Sequence, residues 1–372
     1  MNGWKDTVET LTRRSLNRAT LERQLLLRRA DVPALTVIER LVGLQAQDPD
    51  PPYVGLWSRI DAFGIDDLTR SLYRREVVRA TLFRGTQHLV TAEDYLWLRP
   101  LLQPMLDRWQ KGAFGRFTAG LDLGELAAAA RAILGRDTLT RPELGRALAE
   151  RWPGRDPAAL ARSAQGLLPV VHPPPDGTWG RRGTTPFTLA EHWLDRPLAV
   201  EPSARELIVR YLAAFGPATV RDIQAWSGMT RLNEVVEPLR PRLRVFRNED
   251  GRELFDLPEA PRPDPGVPAP VRFLAALDNV VLAHADRTRL VSDDRRGHVI
   301  VEAAVTVDGF VHGLWSVKRD RGTATLVIRL FEPLSGADEA AVTEEGARLL
   351  RFAAPDAGGH DIRFHPVGGT LR

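Results

Sequence analysis

Two glutamines, Gln45 and Gln47, flank a single alanine in the segment LVGLQAQDPDPPYVG, just before a proline-rich turn. A glutamine amide does not titrate near neutral pH, but its oxygen accepts hydrogen bonds and can orient a water molecule. In a continuing helix, residues two apart point away from each other, whereas in an extended segment they share a face. Asp48 precedes Pro49 and is biased towards extended geometry, so a helix is predicted to end within this motif. The residues alone leave two interpretations open: a water-holding pair, or a surface or capping role for Gln45.

Other catalytic patterns are missing from the sequence. It contains no GxxxxGK[ST], GxGxxG, HExxH or GxSxG motif. It has no cysteine, which excludes disulfides, thiolate metal sites and cysteine nucleophiles and fits a reducing cytoplasm. The eight histidines are scattered without metal-ligand spacing, so neither a metal nor a cofactor is predicted.

Composition narrows the class of protein. A chain of 372 residues with 43% hydrophobic and 27% charged residues suits a soluble globular protein of two or three domains. No apolar run approaches the ~18 residues of a membrane-spanning helix. Only three of the 51 basic residues are lysines. Arginine grips phosphate bidentately, which suits a nucleic-acid partner, although codon bias in a G+C-rich genome is an alternative explanation.

Three stretches share an order of helices followed by a hairpin, which is typical of winged helices. The predicted domains are 1–120, 121–200, 201–260 and, after a proline-rich linker at 259–270, a module at 271–372. In the first domain, Thr36 and Glu39 are predicted to form a capping box for the helix TVIERLVGLQ. In the second, Asp156 and Pro157 open a helix, and LLPVVHPPPDGTWG is read as a hairpin with a Pro-Asp-Gly turn.

The third domain and the C-terminal module carry clear strand signals. Thr219 and Thr230 are predicted N-caps, and LRVFRNEDGRELFDL reads as two strands around an Asn-Glu-Asp-Gly turn. Three further strands follow, HVIVEAAVTV, FVHGLWSVK and TATLVIRLF, joined at Asp308-Gly309 and at 319–322, before a final helix. The predicted fold is α+β: three tandem winged-helix motifs followed by an antiparallel β-barrel-like module.

Several phrases resemble the AlkZ/YcaQ family of bacterial alkylpurine DNA glycosylases. They are Thr36 to Glu39, GLQAQDP, LFRGTQHLV, LLPVVHPPPDGTWGRRG and LAALDNVVLAHADR. The resemblance extends from about residue 11 to 331. It implies a row of three winged helices with a β-barrel-like element, and a catalytic motif of Gln, one spacer, then Gln or Asp. Gln45-Ala46-Gln47 fits the two-glutamine branch and departs from the Gln-x-Asp form.

The resemblance implies hydrolysis of the N-glycosidic bond of N7- or N3-alkylated purines in double-stranded DNA. The resemblance also implies that the protein could unhook bulky or interstrand-crosslinked N7-guanine adducts, in DNA repair or antibiotic self-resistance. An alkylated purine is already cationic and leaves as a neutral base, through an oxocarbenium-like transition state. An amide oxygen could hold the attacking water, and a carboxylate would also act as a general base. A monomer without an obligate protein partner is expected, in the cytoplasm of a bacterium and associated with the nucleoid.

Candidate DNA contacts are drawn from three places. Arg84 is predicted to bind a phosphate, with an internal ion pair to an acid such as Glu76 as the alternative, and His88 either touches DNA or packs within its strand. At the second wing and at the last hairpin the candidates are Trp179, Arg181, Arg182, Lys318, Arg319 and Arg321. Solvated hairpin tips are the alternative there.

Two further hypotheses follow from the motif. If Gln45 ends the helix that begins at Thr36, the C-terminal carbonyls of that helix would favour a developing cation. The competing function is a winged-helix transcriptional regulator without catalysis, for which the glutamine pair would have no use.

Overall fold

The computed structural model describes residues 8–299 and 302–366, and these residues form four β-sheets with helices between them. The predicted α+β class is confirmed. The ends of the first and last predicted domains, 1–7 and 367–372, and two positions of a predicted strand, Ile300 and Val301, lie outside the described residues. No described helix combines the length and the apolar character that a membrane crossing needs.

The first part of the chain contains the sheet that carries the two glutamines. Its elements are β1 (Thr10–Leu11), α1 (Arg13–Arg23), α2 (Ala34–Arg40), β2 (Leu44–Gln45), α3 (Pro51–Trp57), α4 (Ile65–Tyr73), β3 (Val77–Thr81), β4 (Gln87–Thr91), α5 (Ala92–Leu101) and α6 (Gln103–Phe114). Strand β4 is central in the order β2-β4-β3, and both pairings are antiparallel. Leu89 and Val90 of β4 belong to different hydrophobic cores, so this sheet is buried on both faces.

The predicted capping box at Thr36 and Glu39 is wrong. Helix α2 begins at Ala34, its N-cap is Pro33, and no side chain caps it, so Thr36 lies inside the helix. The helix also ends earlier than predicted, because Val42 and Gly43 take φ values of 56° and 98° and turn the chain into β2. Glycine tolerates such values without strain, so Gly43 is a local signal for this helix end.

The second part contains α7 (Leu123–Leu134), β5 (Leu139–Thr140), α8 (Arg141–Arg151), α9 (Pro157–Leu167), β6 (Val170–Val171), β7 (Pro186–Leu189) and α10 (Ala190–Leu194). Asp156 caps α9 by accepting from the Ala158 amide, and Pro157 is its first residue, as predicted. The predicted Pro-Asp-Gly turn is present, because the Thr178 amide donates to the Pro175 carbonyl at 3.2 Å, but it does not close a tight hairpin. Strand β6 pairs with β7, so residues 172–185 form a long connection and not a tight turn.

The third part contains α11 (Ala204–Phe215), α12 (Val220–Ser227), α13 (Asn233–Val236), β8 (Arg244–Asn248) and β9 (Glu253–Asp256). The Thr219 cap and the hairpin of β8 and β9 are confirmed, whereas Thr230 caps no helix because α13 begins after Leu232. Strand β1 extends this sheet in parallel beside β8.

The proline-rich segment 259–270 is anchored along α1. Carbonyls of Pro261, Pro265 and Val267 accept from arginines of that helix. Helix α1 is also joined to the third sheet by a buried ion pair between Arg23 and Asp256. The N-terminal helix therefore packs with the third and last parts of the chain.

The last part contains β10 (Arg272–Leu274), α14 (Asn279–Leu282), α15 (Arg296–Val299), β11 (Ala303–Val307), β12 (Phe310–Asp320), β13 (Thr323–Leu330), α16 (Gly336–Ala353) and β14 (Gly359–Pro366). The strand predicted from His298 starts later, because α15 extends to Val299. Two-residue turns at Asp308-Gly309 and Arg321-Gly322 have positive φ at both positions, as tight hairpins of this kind require. The second turn is shorter than the predicted one at 319–322, because β12 extends to Asp320.

The predicted antiparallel β-barrel-like module is wrong. Its five strands follow the open order β10-β11-β12-β13-β14, and the pairing of β13 with β14 is parallel. A parallel neighbour requires a crossover connection, which α16 supplies. This helix contacts β10, β13 and β14, so it covers the apolar surface that barrel closure would otherwise have buried. The number and tandem arrangement of winged helices stay a prediction.

Candidate active site

Gln45 lies on extended backbone in β2, at the edge of the first sheet, and Gln47 follows two residues later, where the chain bends after the strand. Gln45 is paired with His88 in the β2-β4 ladder, and the Ala46 amide donates to the Gln87 carbonyl at 2.7 Å. The extended interpretation of the motif is therefore confirmed for Gln45. Ala46 is buried, Gln45 retains 9% exposure, and Gln47 is exposed. Because the chain bends at Gln47, beyond the end of β2, the shared face that continued extension would give the two amides stays a prediction.

The helix-dipole hypothesis for these glutamines is wrong. Helix α2 ends at Arg40 and not at Gln45, and Val42 and Gly43 turn the chain before the strand begins. The dipole effect acts within the last helical turn. The carbonyls of α2 therefore give no terminal charge at Gln45.

Arg84 is hydrogen-bonded to the first glutamine. Its Nη2 donates to Oε1 of Gln45 at 2.7 Å, and its Nη1 donates to the carbonyl of Trp226 near the end of α12. Burial, together with the nearby charge of Arg287, lowers the pKa of Arg84 to about 10. The predicted alternative, an ion pair with Glu76, is wrong, because that carboxylate accepts from Ser71 instead.

The second glutamine is held by its backbone and leaves its side-chain oxygen weakly engaged. Oε1 of Gln47 accepts only a long bond, 3.4 Å, from the Gln87 amide. The carbonyls of Ala46 and Gln47 accept from Arg79 at 2.9 and 3.0 Å. Arg79 was not among the predicted site residues. The sequence signal for Arg79 was a lone arginine within the predicted strand segment VVRAT. The structure shows that all five residues of this strand are buried.

His88 lies in the core beneath the glutamines. It is 2% exposed, its Nδ1 donates to the Thr86 carbonyl at 3.0 Å, and its ring meets Phe83 edge-on. Burial, reinforced by the charge of Arg84, lowers the pKa of His88 to about 3. The histidine is therefore neutral at physiological pH and packs within its strand, which was the predicted alternative to a DNA contact.

The connection 172–185 docks against the segment that follows Gln47. Trp179 packs edge-on against Tyr53 and Phe352, each with ring centroids 5.6 Å away. Asp50 accepts from the Gly180 amide at 2.6 Å and pairs with Arg182 at 3.3 Å. Trp179 is therefore a packing residue, while Arg181 and the outer part of Arg182 face solvent.

The cations of the last hairpin lie at an exposed turn between β12 and β13. Lys318 and Arg321 are exposed. Arg319 pairs with Asp356 at 2.8 Å and donates to the Ala353 carbonyl. The turn is thus tied to the end of α16 and not to the glutamines.

The wall behind Gln45 comes from the far end of the chain. Asn279 donates to the Gly43 carbonyl at 2.5 Å, and Asp278 pairs with Arg59 at 2.7 Å. The pocket bounded by Gln45, α3 and residues 275–279 measures about 10 Å³. Sites that enclose a small molecule hold roughly 300–1,000 Å³. Among the described residues, no group of three acidic, histidine or cysteine side chains is arranged to hold a metal ion.

Known proteins resemble this chain in sequence and in fold. The family model for AlkZ-like DNA glycosylases matches residues 38–352. A protein of Streptomyces sahachiroi named interstrand DNA cross-link repair glycosylase is 24% identical over an alignment of 367 residues. The match covers 89% of this chain and 94% of that protein. The solved structure of Streptomyces sahachiroi DNA glycosylase AlkZ has a TM-score of 0.77 at 22% identity, covering 95% of this chain and 100% of the other.

The family assignment made from the sequence motifs is confirmed, and the competing hypothesis of a regulator without catalysis loses its support. The matched region includes both glutamines, Arg79 and Arg84. Because the family model spans most of the 372 residues, the chain belongs to the family of AlkZ-like DNA glycosylases and is a DNA glycosylase.

Proposed function

We propose that this enzyme hydrolyses the N-glycosidic bond of N7- and N3-alkylated purines in double-stranded DNA, including bulky and interstrand-crosslinked N7-guanine adducts. The observation that carries the proposal is the placement of the two glutamines: Gln45 lies on the edge strand β2, beside His88 of β4, and Gln47 is exposed just beyond the end of that strand. The name of the Streptomyces relative, a cross-link repair glycosylase, supports the crosslinked substrate class. A site that acts on crosslinked adducts has to be a shallow, open cleft, because such an adduct cannot be flipped into a closed pocket.

The two amides have different tasks in this proposal. Arg84 occupies one lone pair of the Gln45 oxygen and so orients that amide. In the structure the Gln47 side-chain oxygen accepts a long, 3.4 Å bond from the Gln87 amide. During the reaction this oxygen also accepts a hydrogen bond from the water that attacks C1′. The C1′–N bond breaks, the cationic base departs as a neutral molecule, and the water forms the new C1′–O bond. The water then loses its proton late, to the bulk solvent that reaches the exposed Gln47, so no carboxylate is needed. Because a glutamine cannot take the proton, the reaction is restricted to labile, charged adducts.

DNA contacts surround this site in the proposal. The Arg84 guanidinium binds a backbone phosphate near the lesion, and Lys318 and Arg321 bind phosphates from the last hairpin. Arg319 contributes to the same turn while it remains paired with Asp356. Trp179, Arg181 and Arg182 form the second proposed contact region, in which the arginines face DNA and Trp179 supports them. His88 acts through the strand that it stabilises, because its ring is buried.

The test is release of N7-methylguanine from methylated duplex DNA under single-turnover conditions. Gln47→Ala is expected to lower the rate constant by about 100-fold or more, since misplacing a reactant costs that much. DNA affinity should be unchanged. Gln103→Ala, which removes a partly exposed glutamine of α6, serves as the matched control and should retain the full rate.

Two outcomes would contradict the proposal. Full release by the double variant Gln45→Ala, Gln47→Ala would overturn the two-glutamine mechanism. No release by the wild type from either methylated or N7-crosslinked duplex would overturn the substrate class.

A further inference from the structure

Arg79 links the catalytic motif to the second part of the chain. It is the middle residue of β3, only 4% exposed. Its Nε donates to the Ala46 carbonyl and its Nη2 to the Gln47 carbonyl. Because β4 lies between β3 and β2, the side chain spans β4 to reach them. The described ladder of β2 and β4 ends at Gln45, so these donors continue the fixation of the backbone where the sheet stops.

The third side of the guanidinium is held by Asp176, which belongs to the connection 172–185. Nη1 of Arg79 forms an ion pair with this carboxylate, and both side chains are largely buried. The His172 amide also donates to the Arg79 carbonyl at 2.8 Å. Gly177 packs so closely that a Cβ there would lie 2.9 Å from Cδ of Arg79. The connection therefore holds the Arg79 side chain in place and also supplies the carboxylate that compensates its charge.

This arrangement bears directly on Gln47, whose exposed side chain has little else to restrain it. Arg79 holds the backbone carbonyls of Ala46 and Gln47, which belong to the peptide groups on either side of the Gln47 Cα. Fixing these two peptide groups fixes the direction in which the Gln47 side chain leaves the backbone. Such support matters for a group that must place a water molecule to within a fraction of an ångström. The same connection contacts Asp50 through Gly180 and Arg182, so it brackets the motif at its other end.

The charge of Arg79 is also compatible with a cationic substrate. Burial lowers the pKa of Arg79, and the charge of Asp176 opposes that effect. Burial raises the pKa of Asp176, and the charge of Arg79 opposes it. The two charges compensate each other within the protein. Arg79 can therefore support Gln47 without adding a net positive charge beside the reacting sugar.

We propose that Arg79 is a positioning residue for Gln47 and that Asp176, contributed by the connection 172–185, holds Arg79 in its productive orientation. The proposal rests on the proposed role of Gln47 in the glycosylase reaction. It makes the connection between β6 and β7 part of the catalytic apparatus, although neither Arg79 nor Asp176 needs to touch the substrate.

The experiment compares three variants with the wild type. Asp176→Asn keeps the shape of the side chain and removes its charge. Arg79→Lys keeps the charge but cannot reach both carbonyls and Asp176 together. The control is Asp256→Asn, which breaks the buried ion pair with Arg23 far along the chain from the motif. For each, the single-turnover rate constant, the Kd for methylated duplex and the Tm are measured.

Asp176→Asn and Arg79→Lys are expected to lower the rate constant by about tenfold or more while Kd is unchanged, because only the orientation of the water is affected. Asp256→Asn should lower Tm and leave the rate constant of the folded enzyme unchanged. If Asp176→Asn and Arg79→Lys lower Tm but keep the wild-type rate constant, the proposal is overturned.

A parallel Gln47→Ala measurement separates this proposal from the one on which it rests. An inactive Gln47→Ala beside fully active Arg79→Lys and Asp176→Asn would overturn the positioning role alone. A fully active Gln47→Ala would overturn the water-holding role of Gln47, and the positioning role with it.

Discussion

Nη2 of Arg84 donates a 2.7 Å hydrogen bond to Oε1 of Gln45, which places a guanidinium directly on one of the two amides of the motif. The pKa of Arg84 is lowered to about 10, so the side chain remains protonated at neutral pH. A fixed cation here opposes the positive charge of an alkylated purine and of an oxocarbenium-like sugar. DNA itself can supply the compensating charge, because its phosphates would lie beside both.

If a DNA phosphate compensates the charge of Arg84, removing that charge should weaken DNA binding. Arg84→Met removes the cation and keeps much of the apolar stem, so affinity for duplex DNA should fall at low salt. The slope of log Kd against log salt concentration should decrease by about 1, as for the loss of one phosphate contact. Arg363→Ala removes an exposed arginine already paired with Asp361 and is the control. An unchanged slope in Arg84→Met would assign Arg84 to the orientation of Gln45 alone.

The rate of base release is predicted to be independent of pH from about pH 6 to 9. Glutamines do not titrate, and the pKa values of His88 and His172 are lowered to about 3, mainly by burial. The lowered pKa of Arg84 means that this group loses its proton near pH 10, below the pH at which an ordinary arginine does. Release should therefore decline only at strongly alkaline pH.

Gln47→Asp provides the contrast, since its carboxylate adds a general base. Its single-turnover rate should rise with pH through the pKa of the new carboxyl group and then level off. A wild-type profile with a limb between pH 6 and 9 would show that another titrating group takes part.

Buried histidines are predicted to make the fold sensitive to acid. His88, His172 and His284 each have a pKa lowered from 6.5 to about 3, primarily by burial. Below about pH 6.5 the unfolded chain takes up protons that the folded chain does not, so the free energy of unfolding decreases as the pH is lowered. Each histidine contributes up to about 1.4 kcal/mol per pH unit in that range.

Thermal unfolding at pH 7 and pH 4.5 checks this effect. His88→Gln should reduce the difference in Tm between the two conditions, because it removes one of the groups that titrate only in the unfolded chain. His192→Gln, at an exposed position, should leave the difference as it is in the wild type. Equal differences in all three proteins would disprove the assignment.

The turn that feeds the motif is predicted to require glycine. Gly43 has φ of 98°, and a Cβ there would lie 2.6 Å from Val90 and 2.8 Å from the Leu89 carbonyl. Gly43→Ala should lower the free energy of unfolding by about 1–3 kcal/mol and displace the strand that carries Gln45, so base release should fall as well. Urea denaturation and single-turnover release measure the two effects.

Gly112→Ala is the matched control for that substitution. Gly112 lies within α6 and has no atom within 4 Å of a built Cβ, so alanine should raise the free energy of unfolding by about 0.5–1 kcal/mol. Base release by Gly112→Ala should equal that of the wild type. Equal stability of the two alanine variants would contradict the strain argument at Gly43.

Local signals in the sequence predicted many elements correctly. The Asp156-Pro157 start of α9, the Thr219 cap of α12 and the two-residue turn at Asp308-Gly309 each depend on residues within a few positions of one another. The errors arose where distant contacts decide. The barrel prediction failed because β14, which follows α16, joins the sheet in parallel and leaves it open.

The sequence by itself determined the chemistry that is available: two amides one residue apart, no cysteine, and motifs that identify the glycosylase family. Only the tertiary structure decided how the amides differ. Arg84 is 39 residues from Gln45, and Arg79 is 33 residues from Ala46, so neither contact leaves a periodic or local trace in the chain. Strand β4 pairs with both β2 and β3, and these pairings bring Arg79 of β3 and Arg84, between β3 and β4, to the motif.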